Sequence, residues 1–111
     1  MKVSFDKGKD EETFTDERLL LRSYGKIPAK EIKKSHSALV QAKNVAFLLT
    51  HRIRGCHQLK GNKFELFALN DDQPYRMIFR AIDPVPRKKD GGIDTSAVES
   101  VSIVELHVDY H

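Results

Sequence analysis

His57-Gln58-Leu59-Lys60-Gly61 sets an imidazole and an ammonium three positions apart ahead of a glycine turn. A second cluster of titratable groups lies at Asp109-Tyr110-His111, where an apolar alternation from Val101 runs into an acid, a phenol and an imidazole. Cleaving RNA without a metal requires a base for the 2′-hydroxyl proton, an acid for the departing 5′-oxygen and positive charge beside the phosphorane. Two histidines and a lysine meet those needs, because imidazole titrates near neutrality and ammonium stays cationic against a phosphate oxygen. The nucleophile belongs to the substrate, so no cofactor and no metal is expected. His107 and His111 have the spacing of two zinc ligands on a helix, but on a strand they would lie about 13 Å apart, too far to share one ion. Cys56 adjoins His57, yet a lone cysteine in a strand-like run reads as a small core residue.

These groups need a scaffold. The chain has 111 residues, 40% of them hydrophobic, which suits one domain with its own core. Lys and Arg number 19 against 16 Asp and Glu, so a nucleic-acid partner is permitted without being demanded. A single cysteine, Cys56, and the lack of an apolar leader after Met1 suggest a cytoplasmic setting. Helical patterns come first. Val3 and Phe5 alternate as in a short strand, and Asp10 to Tyr24 reads as one helix stopped by Gly25. Pro28 suits the first turn of a second helix, with Ile32, Ala38, Leu39 and Ala42 on one face and Lys30, Lys33, Lys34 and Gln41 on the other. Asn44 caps a third, Val45 to His51.

From Gly55 the period changes to two, and Cys56–Leu59, Lys63–Leu69, Tyr75–Ile82 and Val101–Tyr110 read as strands. Asn70 to Pro74 is turn chemistry that makes the middle pair an antiparallel hairpin. Asp83 to Gly92, with its prolines, glycines and the Arg87-Lys88-Lys89 run, must be a long basic loop, either solvated or touching phosphate. Strict alternation puts His107, Asp109 and His111 on one face of the last strand and Leu106, Val108 and Tyr110 on the other. Arg76 and Arg80 share a face, where two guanidiniums could line a phosphate groove or pair with Glu65, Glu105 or Asp109. His57 could equally do no more than bond a backbone carbonyl.

His57-x-x-Lys60-Gly61, Tyr75-Arg76-Met77-Ile78-Phe79 and Val108-Asp109-Tyr110-His111 together resemble the host-inhibition, HigB-like toxins of the bacterial RelE/ParE superfamily. The order and spacing match from about Ala38 onward. The resemblance implies an α+β fold, with N-terminal helices packed on one face of a mainly antiparallel four- to five-stranded sheet. It implies the toxin of a type II toxin-antitoxin system, a ribosome-dependent mRNA endonuclease cutting in the A site and restrained by a HigA-like antitoxin. Carried over by position, His57, Lys60, Tyr110 and His111 are catalytic, Asp109 supports them, and Arg76 contacts the scissile phosphate region. The loop from Asp83 to Ala97 is longer than many members have there. A fold-mate that binds without cutting, a ParE-type gyrase inhibitor or a regulatory partner from the same operon, is the alternative, and such members generally lack the histidine and lysine set.

Overall fold

The computed structural model describes residues 1–61 and 65–109. Among them are β1 (Lys2–Phe5), α1 (Gly8–Thr15), α2 (Glu17–Tyr24), α3 (Lys26–Gln41), α4 (Val45–Thr50), β2 (His57–Gln58), β3 (Leu66–Asn70), β4 (Tyr75–Ala81) and β5 (Ser100–Asp109). The sheet order is β1-β5-β4-β3-β2, with β1 parallel to β5 and every other pair antiparallel. This is the expected α+β architecture with helices packed on the sheet.

Local chemistry explains most boundaries, including one that departs from expectation. The helix expected over Asp10–Tyr24 is two helices. Asp16 has extended backbone, φ −107° and ψ 103°, and its carboxylate accepts from the N–H groups of Arg18 and Leu19. An aspartate that satisfies two donors in this way starts a helix rather than continuing one. Asn44 likewise accepts from the Phe47 N–H to begin α4. The loop between β4 and β5 is tied by an isolated antiparallel bridge, Arg87 to Ile93, and by two hydrogen bonds from Arg87 to Glu65 at 2.8 and 2.9 Å.

One face of the sheet carries the main core. Phe67 and Leu69 of β3, Met77 and Phe79 of β4 and Val101, Ile103 and Leu106 of β5 are buried with Leu20, Ile32, Leu39, Val45 and Leu48 of the helices. Burying each such side chain stabilises the fold by about 1.5–3 kcal/mol. The opposite face has only a small cluster, Leu59, Ala68 and Ile78, flanked by Leu66, Val104 and Val108.

β5 does not alternate strictly, which corrects the facing expected for Leu106, while His107 and Asp109 share one face and Val108 takes the other as expected. Arg76 pairs with Val108 but Ile78 pairs with Glu105, so Leu106 and His107 together oppose the single Met77. A further shift between Ile78 and Phe79 leaves Val104 without a counterpart. Extra residues of this kind are β-bulges. Leu106 therefore enters the main core while Val108 joins the opposite cluster. His107 packs beside Leu106: its ring lies 4.2 Å from Tyr75 and 5.4 Å from Tyr24 of α2, and Nε2 is 2.8 Å from Asp72 Oδ1.

A buried polar lock fastens the β3–β4 hairpin to α3. Arg54 Nε donates to Ser35 Oγ at 2.9 Å and to the Asn70 carbonyl at 3.0 Å, and Nη2 donates to Glu31 Oε1 at 2.8 Å. Ser35 Oγ donates in turn to Asp71 Oδ1 at 2.6 Å, while Asp71 Oδ2 is buried without a partner among the described residues. Burial pushes the Asp71 carboxyl up to about 6, against the Ser35 hydrogen bond and the charges of His107 and Arg54 and with the help of Asp72. An unfolded aspartate titrates near ~4. The stability tied to protonated Asp71 is therefore complete below ~4 and lost as pH rises through about 6. In urea melts Asp71→Asn should gain on the wild type across that window, by up to about 3 kcal/mol. A stability difference independent of pH would contradict this account.

Candidate functional site

His57 sits on β2, the edge strand, directly opposite Ala68. Ala68 pairs with Ile78 and Ile78 with Glu105, so His57 begins a row that crosses the sheet on the face away from the helices. The imidazole is exposed, and its Nδ1 lies 3.0 Å from the Gly55 carbonyl. A carbonyl only accepts, so Nδ1 carries the hydrogen, and in the neutral ring Nε2 is left as the basic nitrogen. The bond to a carbonyl that offers a purely structural account of His57 thus also fixes its tautomer.

The turn before His57 is tightly constrained. Arg52, Arg54 and Gly55 all have left-handed backbone, with φ 48°, 47° and 63°. A Cβ on Gly55 would come within 2.3 Å of Asn70 Nδ2, so any side chain there would displace the Asn70 amide, and the left-handed dihedral angle favours glycine as well. Arg54 is held in place by the polar lock.

The cations on this face divide into those already neutralised and those not. Arg80 donates from Nε to both Asp6 carboxylate oxygens at 3.1 Å, and its Nη2 lies 3.0 Å from Oδ1. The expected acidic neighbours are otherwise engaged, Glu65 with Arg87 and Glu105 with Lys7. Burial raises the Asp6 carboxyl, but hydrogen bonds from Arg80 and Ser102 outweigh it and leave the group below its ordinary value. Arg80 is consequently a clamp between β4 and the end of β1. Arg76, two residues from Ile78 on the same face, donates to the Pro74 carbonyl at 3.1 Å and makes no ion pair among the described residues. Lys60, just past the end of β2, is exposed and likewise unpaired among the described residues.

Asp109 ends β5 opposite Tyr75 and is exposed; alternation with Val108 puts it on the helix-bearing face, so the structure does not bring it together with His57. Tyr110 and His111 lie outside the described residues. Between His57 and β5 stand β3 and β4, a separation of about 14 Å across three strand spacings. His57 is two spacings from Ile78, and Arg76 lies two residues further along β4, about 12 Å from His57, with its guanidinium bound at the hairpin turn to the Pro74 carbonyl. Burial pushes the Cys56 thiol up to about 12, so it stays protonated at neutral pH and is a core residue, as its surroundings in the main core require.

Two clefts matter for what could bind. One of about 380 Å³ opens beside His57, lined by Leu49, Arg52, Gly55, Cys56, His57 and Gln58. A larger one, about 470 Å³, lies between α2 and α3 under Lys26, Lys30, Lys33 and Lys34, and contains none of the expected catalytic residues. Sequence reasoning placed Arg52 near the site by its position ahead of the motif but missed its left-handed backbone, and missed the Asp72–His107–Tyr75 contact that braces β5. The second depends on a bulged register that no short pattern announces. No described helix is long and apolar enough to cross a membrane. Protein-family models, curated proteins and solved structures yield no match to this chain.

Gly55→Ala is expected to cost at least about 1 kcal/mol from its left-handed backbone alone, and more from the contact with Asn70. It should also move the carbonyl that orients His57. A thermal melt indistinguishable from the wild type would refute the packing described for this turn.

Proposed function

We propose that the chain is the toxin of a type II toxin-antitoxin pair and cleaves mRNA in the ribosomal A site by metal-free acid–base chemistry. The observation that carries the reading is His57: an exposed imidazole, fixed in one tautomer, with Arg76 on the same sheet face and Lys60 three residues on in the chain, neither with a carboxylate partner among the described residues. In the proposed reaction His57 Nε2 takes the proton of the 2′-hydroxyl. The 2′-oxygen attacks the adjacent phosphorus, the bond to the 5′-oxygen breaks, and a protonated group returns a proton to that oxygen, leaving a 2′,3′-cyclic phosphate. Arg76 and Lys60 stabilise the charge that builds on the phosphoryl oxygens, which is where preorganised cations accelerate such reactions most. His111 and Tyr110 are the candidates for the returning proton, with Asp109 supporting them. Arg80, held by Asp6, acts in the architecture of the site and not on phosphate. A HigA-like antitoxin is the proposed restraining partner, and the cytoplasm the proposed location.

Resemblance of the three motifs in order supports the nuclease over a ParE-type gyrase inhibitor or an operon regulator, since the histidine and lysine are both present. Induced in cells, the wild type should arrest growth and produce new mRNA 5′ ends inside translated codons. His57→Ala should lose both by at least about 100-fold while keeping its circular dichroism and melting temperature. A fully toxic His57→Ala, or arrest with intact mRNA and a DNA-damage response, would defeat the proposal.

A further inference from the structure

Arg52 is a non-glycine residue held at φ 48° on the exposed side of the turn, and it lines the cleft of about 380 Å³ beside His57. Left-handed backbone is unfavourable for a residue with a Cβ and persists where the surroundings impose it or where function uses it. Its neighbours in the turn have evident reasons for the conformation. Arg54 gains contacts to Glu31, Ser35 and Asn70, and Gly55 has no Cβ to place. For Arg52 the turn closes through the backbone alone, with the Gly55 N–H donating to the Arg52 carbonyl at 3.0 Å. The guanidinium makes no hydrogen bond or ion pair among the described residues. The fold thus places an unneutralised guanidinium on a residue that lines the same cleft as the candidate catalytic imidazole.

We infer that Arg52 and this cleft form a nucleotide subsite, in which the guanidinium grips an RNA phosphate next to the one His57 acts on. The inference rests on the nuclease reading for its substrate class and adds a binding residue that the motifs do not contain. Guanidinium suits the task because it is permanently charged and presents parallel N–H groups to two phosphate oxygens. Leu49 and Cys56 supply apolar wall for a ribose or base, and the cleft volume falls in the range of small-ligand sites. Arg52 is a substrate-positioning residue. It takes no part in proton transfer.

The test titrates the full chain with a 3′-phosphorylated mononucleotide, in parallel with inorganic phosphate, following the His57 ring and the arginine Nε–H signals by NMR. The nucleotide should bind at one site that perturbs both His57 and Arg52, and more tightly than phosphate. Arg52→Ala should weaken nucleotide binding roughly tenfold. Arg52→Gly should weaken it equally while raising the melting temperature, because glycine relieves the left-handed backbone; that combination separates a binding role from a structural one. Unchanged nucleotide affinity in both variants would overturn the subsite, as would equal affinity for nucleotide and bare phosphate. Neither failure touches the nuclease reading, which stands or falls on His57 and mRNA cleavage, and a non-toxic chain that still binds the nucleotide through Arg52 would keep the subsite and sink the nuclease.

Discussion

The contact between the turn before β2 and the β3–β4 hairpin governs everything proposed for this molecule. Gly55 packs against the Asn70 amide so closely that a side chain there would displace it, Arg54 reaches past it to the Asn70 carbonyl and Glu31, and Ser35 links that carbonyl's neighbour, Asp71, to α3. β2 is only two residues long and contributes little pairing of its own. Without the lock it would be a frayed edge. With it, the Gly55 carbonyl stands where it fixes the His57 ring, and a short edge strand becomes a defined platform. The lock has a cost in solvation. Asp71 is buried with one oxygen unpartnered among the described residues, so the hairpin that supports the site carries a carboxyl that folding would rather keep protonated.

Charge is distributed with the same economy. An abundance of basic residues suggests a broad cationic surface, yet Arg54, Arg80, Arg87, Lys7 and Lys33 are each bound to a carboxylate. Exposed pairs of this sort add little stability, but they remove charge from the local field. What remains near His57 is a short set, Arg52, Lys60 and Arg76, none of which has an ionic partner among the described residues. The distinction between Arg76 and Arg80, which share a face, is therefore chemical and not geometric. Asp6 arrives beside Arg80 because β1 lies parallel to β5 and ends at that level of the sheet.

Elements governed by neighbours in sequence were legible. The caps at Asn44 and Gly25, the hairpin at Asn70 to Pro74 and the basic loop after Asp83 follow from local chemistry, and α+β packing follows from the change of period near Gly55. Asp16 shows the limit of period alone, because the apolar pattern continues across it while its carboxylate starts a new helix. The facing of Leu106 failed for a different reason. Bulges are set by how β4 and β5 fit over the core, and one additional residue reverses the side chains after it until the second bulge restores them. Long-range partners were hidden in the same way. Asp6 and Arg80 are 74 positions apart, and the Asp72–His107 contact needs both the hairpin and the bulge before it can form. His57 with Lys60 and Gly61 was legible as a motif, whereas the close packing of Gly55 on Asn70 and the left-handed backbone of Arg52 carry no sequence mark. The expected roles of Tyr110 and His111 fall outside the described residues.

The most direct measurement of the central claim uses programmed ribosomes and a defined message, with the 3′ end of the upstream fragment identified chemically. The expected result is a cut in the A site that leaves a 2′,3′-cyclic phosphate, and no cut when the nucleotide on the 5′ side of the scissile bond is 2′-deoxy. A message that survives intact, or one that is cut at the deoxy position, would contradict it.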